Sequence, residues 1–126
     1  MKRFILLLIG AMFCINSQAQ TLTEFNKSSS YKITYDDYFT PTVHVTVNNI
    51  SSKTITSIEV TVSYTTNPRE WSAPTHSEIV RVYVTPGEAK TVSFQVPDKI
   101  RSRTPGRAGI TRIRFSDGSI CDIDNM

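Results

Sequence analysis

The sequence predicts an all-β antiparallel sandwich of about seven short strands, and three observations carry that expectation. Apolar and polar residues alternate with a period of two in one segment after another, the signature of strands with one buried face. Clusters of Pro, Gly, Asn, Asp and Ser separate the segments at short intervals, which is the punctuation of turns. After residue 20 no apolar pattern with a helical period is evident.

In chain order, Lys2 and Arg3 precede an apolar run over residues 4–13, and Ser17 and Ala19 offer small side chains at the two positions that signal peptidase reads. Residues 1–19 are therefore expected to be a secretory signal peptide, too short in its apolar part to span a bilayer. Cys14 follows Phe13, where lipoprotein processing wants a small residue, so no lipid anchor is expected. Residues 20–30 are polar apart from Leu22 and Phe25, and are expected to form a flexible leader that is ordered only if Phe25 docks. A single domain over residues 31–126 follows.

Tyr31, Ile33 and Tyr35 alternate with Lys32 and Thr34 as a first strand, broken by the turn formers Asp36 and Asp37 and by Pro41. The clearest stretch covers residues 43–64. Val43, Val45 and Val47 take one phase, then Ile58, Val60, Val62 and Tyr64 take another, and a polar break from Asn48 to Lys53 lies between. This stretch is expected to be the central β-hairpin of the sandwich. Ile55 stands in the opposite phase to Ile58, which predicts a bulge at Thr56 and Ser57.

Residues 66–76 lose the pattern and predict a long loop; Val80, Val82 and Val84 resume it in a strand over 79–84. Pro86 followed by Gly87 predicts a type II turn. Val92, Phe94 and Val96 form the next strand, stopped by Pro97, and residues 98–108 read as a second long connection. Thr111, Ile113 and Phe115 are expected to face away from Arg112 and Arg114, Asp117 and Gly118 to form a two-residue hairpin, and residues 119–123 to close the domain. Seven strands in so short a chain describe an immunoglobulin-like sandwich, without the cysteine pair of antibody domains.

Composition narrows the function. Once Lys2 and Arg3 leave with the signal, twelve basic residues stand against eleven acidic ones, so no strongly cationic surface is expected. Only Cys121 remains, which excludes an internal disulfide and predicts a buried thiol. Half of the twelve basic residues nevertheless fall between Lys99 and Arg114.

The residues from Val47 to Ile55, the strand 58–64, and Pro86-Gly87-Glu88 leading into Val92-Ser93-Phe94-Gln95-Val96 resemble the bacterial FxLYD-type and related immunoglobulin-like domains of exported proteins. There an asparagine-rich turn ends one strand and a Pro-Gly-Glu turn leads into another. The resemblance covers about residues 42–97 and implies an extracytoplasmic, non-enzymatic domain; it assigns no functional residues.

Function is expected at one end of the sandwich. If every connection reverses the chain, 36–41, 66–76 and 97–108 share an end that gathers Tyr38, Arg69, Trp71, Lys99, Arg101, Arg103 and Arg107. Aromatic and arginine side chains are the ones that dominate binding hot spots, so these seven are the candidate partner-binding residues. The partner expected is a protein or an anionic envelope component or glycan. Nucleic acid is not expected, because stacking aromatics are missing from the basic run.

No catalytic residue, metal site or cofactor is expected. His44 and His76 lack converging partners in sequence, and with Cys121 they show no zinc spacing. Asn26-Lys27-Ser28 and Asn49-Ile50-Ser51 match the N-glycosylation pattern. The expected function is that of a non-catalytic exported interaction module. The alternative is a structural spacer or assembly subunit that pairs through a strand edge.

Overall fold

Strands form where period-two alternation lets one face leave water, and the computed structural model, which describes residues 21–65 and 74–122, contains seven of them. They are β1 (Ser30–Tyr35), β2 (Pro41–Asn48), β3 (Ile55–Tyr64), β4 (Thr75–Val84), β5 (Ala89–Gln95), β6 (Pro105–Phe115) and β7 (Ile120–Asp122). All pairings are antiparallel, in two sheets of order β1-β2-β5 and β4-β3-β6-β7. The pairings β2–β5 and β3–β6 join strands distant in sequence, as in an immunoglobulin-like sandwich.

The inward phases are those the alternation predicts. Val43, Val45 and Val47 on β2 and Ile58, Val60, Val62 and Tyr64 on β3 are each no more than 2% exposed. Burying a side chain of this size stabilises the fold by about 1.5–3 kcal/mol.

The stretch 43–64 is not a hairpin, however. β2 pairs only with β1 and β5, and β3 only with β4 and β6. The reason is burial: two strands this apolar on one face must both be central. In one sheet they would leave that face uncovered, whereas one in each sheet lets them cover each other. The polar break is thus a corner between layers.

The predicted bulge is present. Ile55 pairs with Val84 and Phe115 while Ser57 pairs with Arg81 and Arg114, so both ladders shift there. A second shift follows on β6, where Glu59 pairs with Arg112 but Val60 pairs with Ile110. The extra residue is Thr111. It turns to the outer face, against the expectation that it shares a face with Ile113 and Phe115, and its Oγ1 lies 2.9 Å from Thr61 Oγ1. Ile110 and Ile113, three apart, both point inward as a result.

Two strands begin earlier than predicted. β4 starts at Thr75 instead of Ile79, because it is an edge strand whose inward-phase His76 and Glu78 stay half-buried and remain solvated. β6 starts at Pro105 instead of after residue 108, because backbone pairing with Ser63 and Tyr64 outweighs the weak strand propensity of Gly106 and Gly109.

The predicted leader is ordered, and it is helical. Helix α1 (Leu22–Ser28) starts at Thr21, whose Oγ1 accepts the Glu24 N–H at 3.2 Å as an N-cap. Seven residues cannot sustain a helix in water; packing holds this one. Phe25 is fully buried with its ring 6.2 Å from that of Phe115, and Leu22 sits beside it on the same face. Residues with the i, i+3 spacing of Leu22 and Phe25 are too few to register as a period.

α1 also serves the sheet. β7 covers β6 only from Arg112 to Arg114, and among the described residues no strand pairs with the remainder of that β6 edge. The Asn26 side chain stands in for one peptide group there, donating to the Ile110 carbonyl at 2.8 Å and accepting the Ile110 N–H at 2.9 Å.

Candidate functional site

Antiparallel pairing sends alternate connections to opposite ends of the sandwich. Residues 49–54, 85–88 and 116–119 lie at one end; 36–40, 97–104 and the described residues Thr65 and Pro74 lie at the other. The two ends are built differently.

The first end is closed around Asn49, which is fully buried. Its amide nitrogen donates to the Lys53 carbonyl at 2.7 Å and the Val84 carbonyl at 2.8 Å, and its Oδ1 accepts the Ser51 N–H at 3.0 Å and the Ser51 hydroxyl at 2.6 Å. Its backbone N–H donates to the Glu88 carbonyl and its carbonyl accepts the Gly87 N–H, both at 2.9 Å. This one residue therefore joins the corner after β2 to the end of β4 through its side chain and to the Pro86–Gly87 turn through its backbone. That turn has the predicted form, with Glu88 N–H bonded to the Thr85 carbonyl and Gly87 at φ 81°.

At the same end Phe115, Ser116, Asp117 and Gly118 form a turn closed by a Gly118 N–H bond to the Phe115 carbonyl, and Phe115 N–H donates to the Ser119 carbonyl. Gly118, at φ 87°, is an added bulge residue, so the connection is longer than the expected two-residue hairpin. Asp117 accepts the Ser119 N–H and lies 3.0 Å from Lys53 Nζ. The Ser119 hydroxyl, then the Ser119 N–H, then Lys53 hold its carboxyl well below the usual carboxylate range.

Among the described residues the second end is tied more sparsely. Val96 N–H donates to the Pro41 carbonyl at 3.1 Å, Tyr64 N–H to the Pro74 carbonyl at 2.9 Å, and Thr65 N–H to the Thr104 carbonyl at 2.9 Å. The Tyr64 ring closes the core, its hydroxyl donating to the Pro97 carbonyl. Burial, with Asp98 and Tyr35 adding to it, pushes its phenol up.

On this frame sit the exposed groups. Asp36 Oδ1 accepts the N–H of Tyr38 and of Thr40, both at 2.8 Å, which holds the tip of 36–40 and presents Tyr38 (88% exposed) and Phe39 (75% exposed) to solvent. Phe39 has φ 61°. In the connection 97–104, Ile100 and Arg103 exchange two backbone hydrogen bonds of 3.0 Å around Arg101 (φ 51°) and Ser102 (φ 65°). Positive φ at both central residues is the requirement of a type I′ hairpin, a turn that Asn-Gly fills with least strain. Here it carries exposed Arg101 and Ser102.

Of the seven sequence candidates, Tyr38, Lys99, Arg101 and Arg103 share this end, with Arg103 half-buried and the others exposed. Arg107 does not belong to the connection. It lies in β6 opposite Ser63, because the strand begins earlier than expected. Arg69 and Trp71 lie outside the described residues. Arg112 and Arg114 are exposed on the outer face of the four-stranded sheet, Arg112 Nε lying 4.0 Å from Asp122.

The positive φ of Phe39 and Ser102 at this end carried no signal in the sequence, since neither residue type announces it. Asn49 was visible only as a turn residue; its role depends on Val84, thirty-five residues away.

Elsewhere, His44 lies between two hydroxyls, Nδ1 2.7 Å from Ser93 Oγ and Nε2 2.8 Å from Thr34 Oγ1, on the outer face of the three-stranded sheet. His76 Nε2 pairs with Glu78 at 2.9 Å. Among the described residues no three His, Cys, Asp or Glu side chains gather into a metal-binding group, and no helix is long and apolar enough to cross a membrane. The two glycosylation patterns fall on Asn26 and Asn49, whose side-chain nitrogens are already engaged with Ile110 and with Lys53 and Val84. Cys121 is buried, as expected. No protein-family model, characterised protein or solved structure matches the chain.

Proposed function

We infer that the protein is a non-catalytic, exported interaction module that binds a protein or an anionic envelope component through its loop-rich end. Export rests on the signal-like residues 1–19, and the module reading accords with the resemblance to FxLYD-type domains. The observation that carries the reading is the Ile100–Arg103 hairpin. Residues with a Cβ at positive φ cost about 1–2 kcal/mol each, and strain of this kind persists where the side chain is needed. Arg101 stands at the tip with Lys99 beside it in sequence, and Tyr38 and Phe39 extend from the same end.

Changing Tyr38→Ala, Lys99→Ala and Arg101→Ala together tests this. The melting temperature is expected to stay within a few degrees, while capture of partners from envelope extract and binding to alginate or polyglutamate weaken. Undiminished binding to all three would overturn the reading.

The alternative is an assembly subunit or spacer that pairs through a strand edge. It is favoured by one observation, the stretch of β6 before Arg112 that no described residue of β7 pairs with.

A further inference from the structure

The β6 edge faces a groove of about 650 Å³ between the two sheets. Its floor is apolar, made by Leu22, Val45 and Ile110, and Tyr31 of β1 forms the opposite wall. From Val60 to Val62 the β3–β6 ladder runs without a shift, pairing Val60 with Ile110 and Val62 with Ala108. Backbone groups alternate direction along a strand, so residues two apart point their N–H and C=O the same way. Ile110 points both groups away from β3, into the Asn26 amide. Ala108 therefore points its own N–H and C=O into the groove as well, and among the described residues nothing meets them. The groove thus offers one peptide-shaped position already filled by a side-chain amide and the next one open.

We propose that this groove takes an extended peptide of a partner protein, with alternating apolar and acidic residues, added as a strand along Ala108. The proposal gives the strand-edge reading above a ligand class. Strand addition supplies main-chain hydrogen bonds, and alternate side chains supply specificity. Apolar side chains of the peptide would face Leu22 and Val45. The outward ones would meet the mouth, where Arg107 is exposed, and Lys27, the chain neighbour of the lining residue Asn26, is exposed too. Glu24, the acidic residue of α1, is close enough to Cys121 of β7 to help raise its thiol, which sets it toward the covered part of the edge. The charge at the mouth selects an acidic strand.

The probe is a blocked hexapeptide alternating valine and glutamate, titrated into the purified chain by NMR. Binding is expected to move the amide signals of Arg107, Ala108 and Tyr31. Ala108→Pro deletes only an N–H that points away from β3, a change edge strands tolerate, and should weaken binding about tenfold, the worth of a hydrogen bond and its fit. Should that variant not fold, Arg107→Glu decides: it should weaken the glutamate peptide and strengthen its valine–lysine counterpart.

The proposal is overturned by no binding at millimolar peptide, or by affinity that neither change alters. It is equally overturned if binding appears only after residues 123–126 are deleted, which assigns the groove to the chain's own tail. Self-association that Ala108→Pro abolishes in place of peptide binding would assign it to a second copy and sink the proposal too. Arg101→Glu is expected to leave peptide affinity within about twofold, because Arg101 lies in the loop-end hairpin and does not line the groove. Loss of binding there instead would move the peptide to the loop-rich end, overturning the groove while leaving the loop-end function standing.

Discussion

Among the described residues, the positive-φ positions at the turn end of the sandwich are Gly87 and Gly118, and at the loop end Phe39, Arg101 and Ser102. Glycine adopts that conformation with no Cβ to clash, whereas the other three are held there at a cost. The contrast extends to side chains. At the turn end Asn49 is fully buried with every polar group bonded, and Lys53 reaches across to Asp117 and Ser119. At the loop end the aromatic side chains of Tyr38 and Phe39 stand mostly in solvent. One end spends its polar chemistry on joining the layers, and the other presents it outward.

The comparison is broken most forcefully at Asn49. Asn49→Ala removes the side-chain partner of the Val84 carbonyl and the Ser51 N–H, the Lys53 carbonyl keeping the Ser51 hydroxyl, and each buried orphan costs about 1–3 kcal/mol. The expected loss is about 3 kcal/mol or more in urea denaturation. Tyr38→Ala, at the other end, is expected within about 0.5 kcal/mol of the parent, as for exposed sites generally. Equal losses at the two ends would dissolve the distinction.

A smaller effect of opposite sign is expected at the strained hairpin. Arg101→Asn with Ser102→Gly supplies the residues a type I′ turn favours and should stabilise the fold by about 1–2 kcal/mol. No gain would mean the backbone there is unstrained.

Acid separates the ends more gently. The folded-state carboxyl of Asp117 is depressed, chiefly by the Ser119 hydroxyl. Its contribution is therefore complete above the ordinary aspartate value of about 3.9 and fades as pH falls through the lower folded value. The melting-temperature deficit of Asp117→Asn is expected to be constant from neutral pH down to about 4 and to vanish only in stronger acid. A deficit that disappears above that point would show that the turn-end clamp is not formed.

The smallest effect concerns Cys121, whose thiol is pushed up first by burial and then by Asp122 and Glu24. Thiolate is the reactive form, so alkylation should be far slower in the folded chain than in urea. Equal rates would place the thiol at the surface.

The sandwich was visible in the residues because period-two alternation is a local property, and so were the bulge at Thr56 and Ser57 and the Pro86–Gly87 turn. What local pattern could not supply was which strands share a sheet. Val43 to Val47 and Ile58 to Tyr64 look like two arms of one hairpin until the need to cover both apolar faces assigns them to different layers. Helix α1 escaped notice because Leu22 and Phe25 are its only buried residues and its stability comes from the core. Of the candidate site, Tyr38, Lys99, Arg101 and Arg103 were brought to one end by counting chain reversals. The strain at Phe39, Arg101 and Ser102 is a backbone property with no residue signature, and Arg107 was misplaced because Gly106 and Gly109 disguised the start of β6.

The central claim is that the loop end keeps Arg101 at a strained tip for binding. The most direct measurement compares the parent with the Arg101→Asn, Ser102→Gly variant in two readouts, urea stability and affinity for alginate and for partners captured from envelope extract. The account predicts higher stability together with weaker binding. Higher stability with binding unchanged would contradict it, because the strain would then serve nothing at that end.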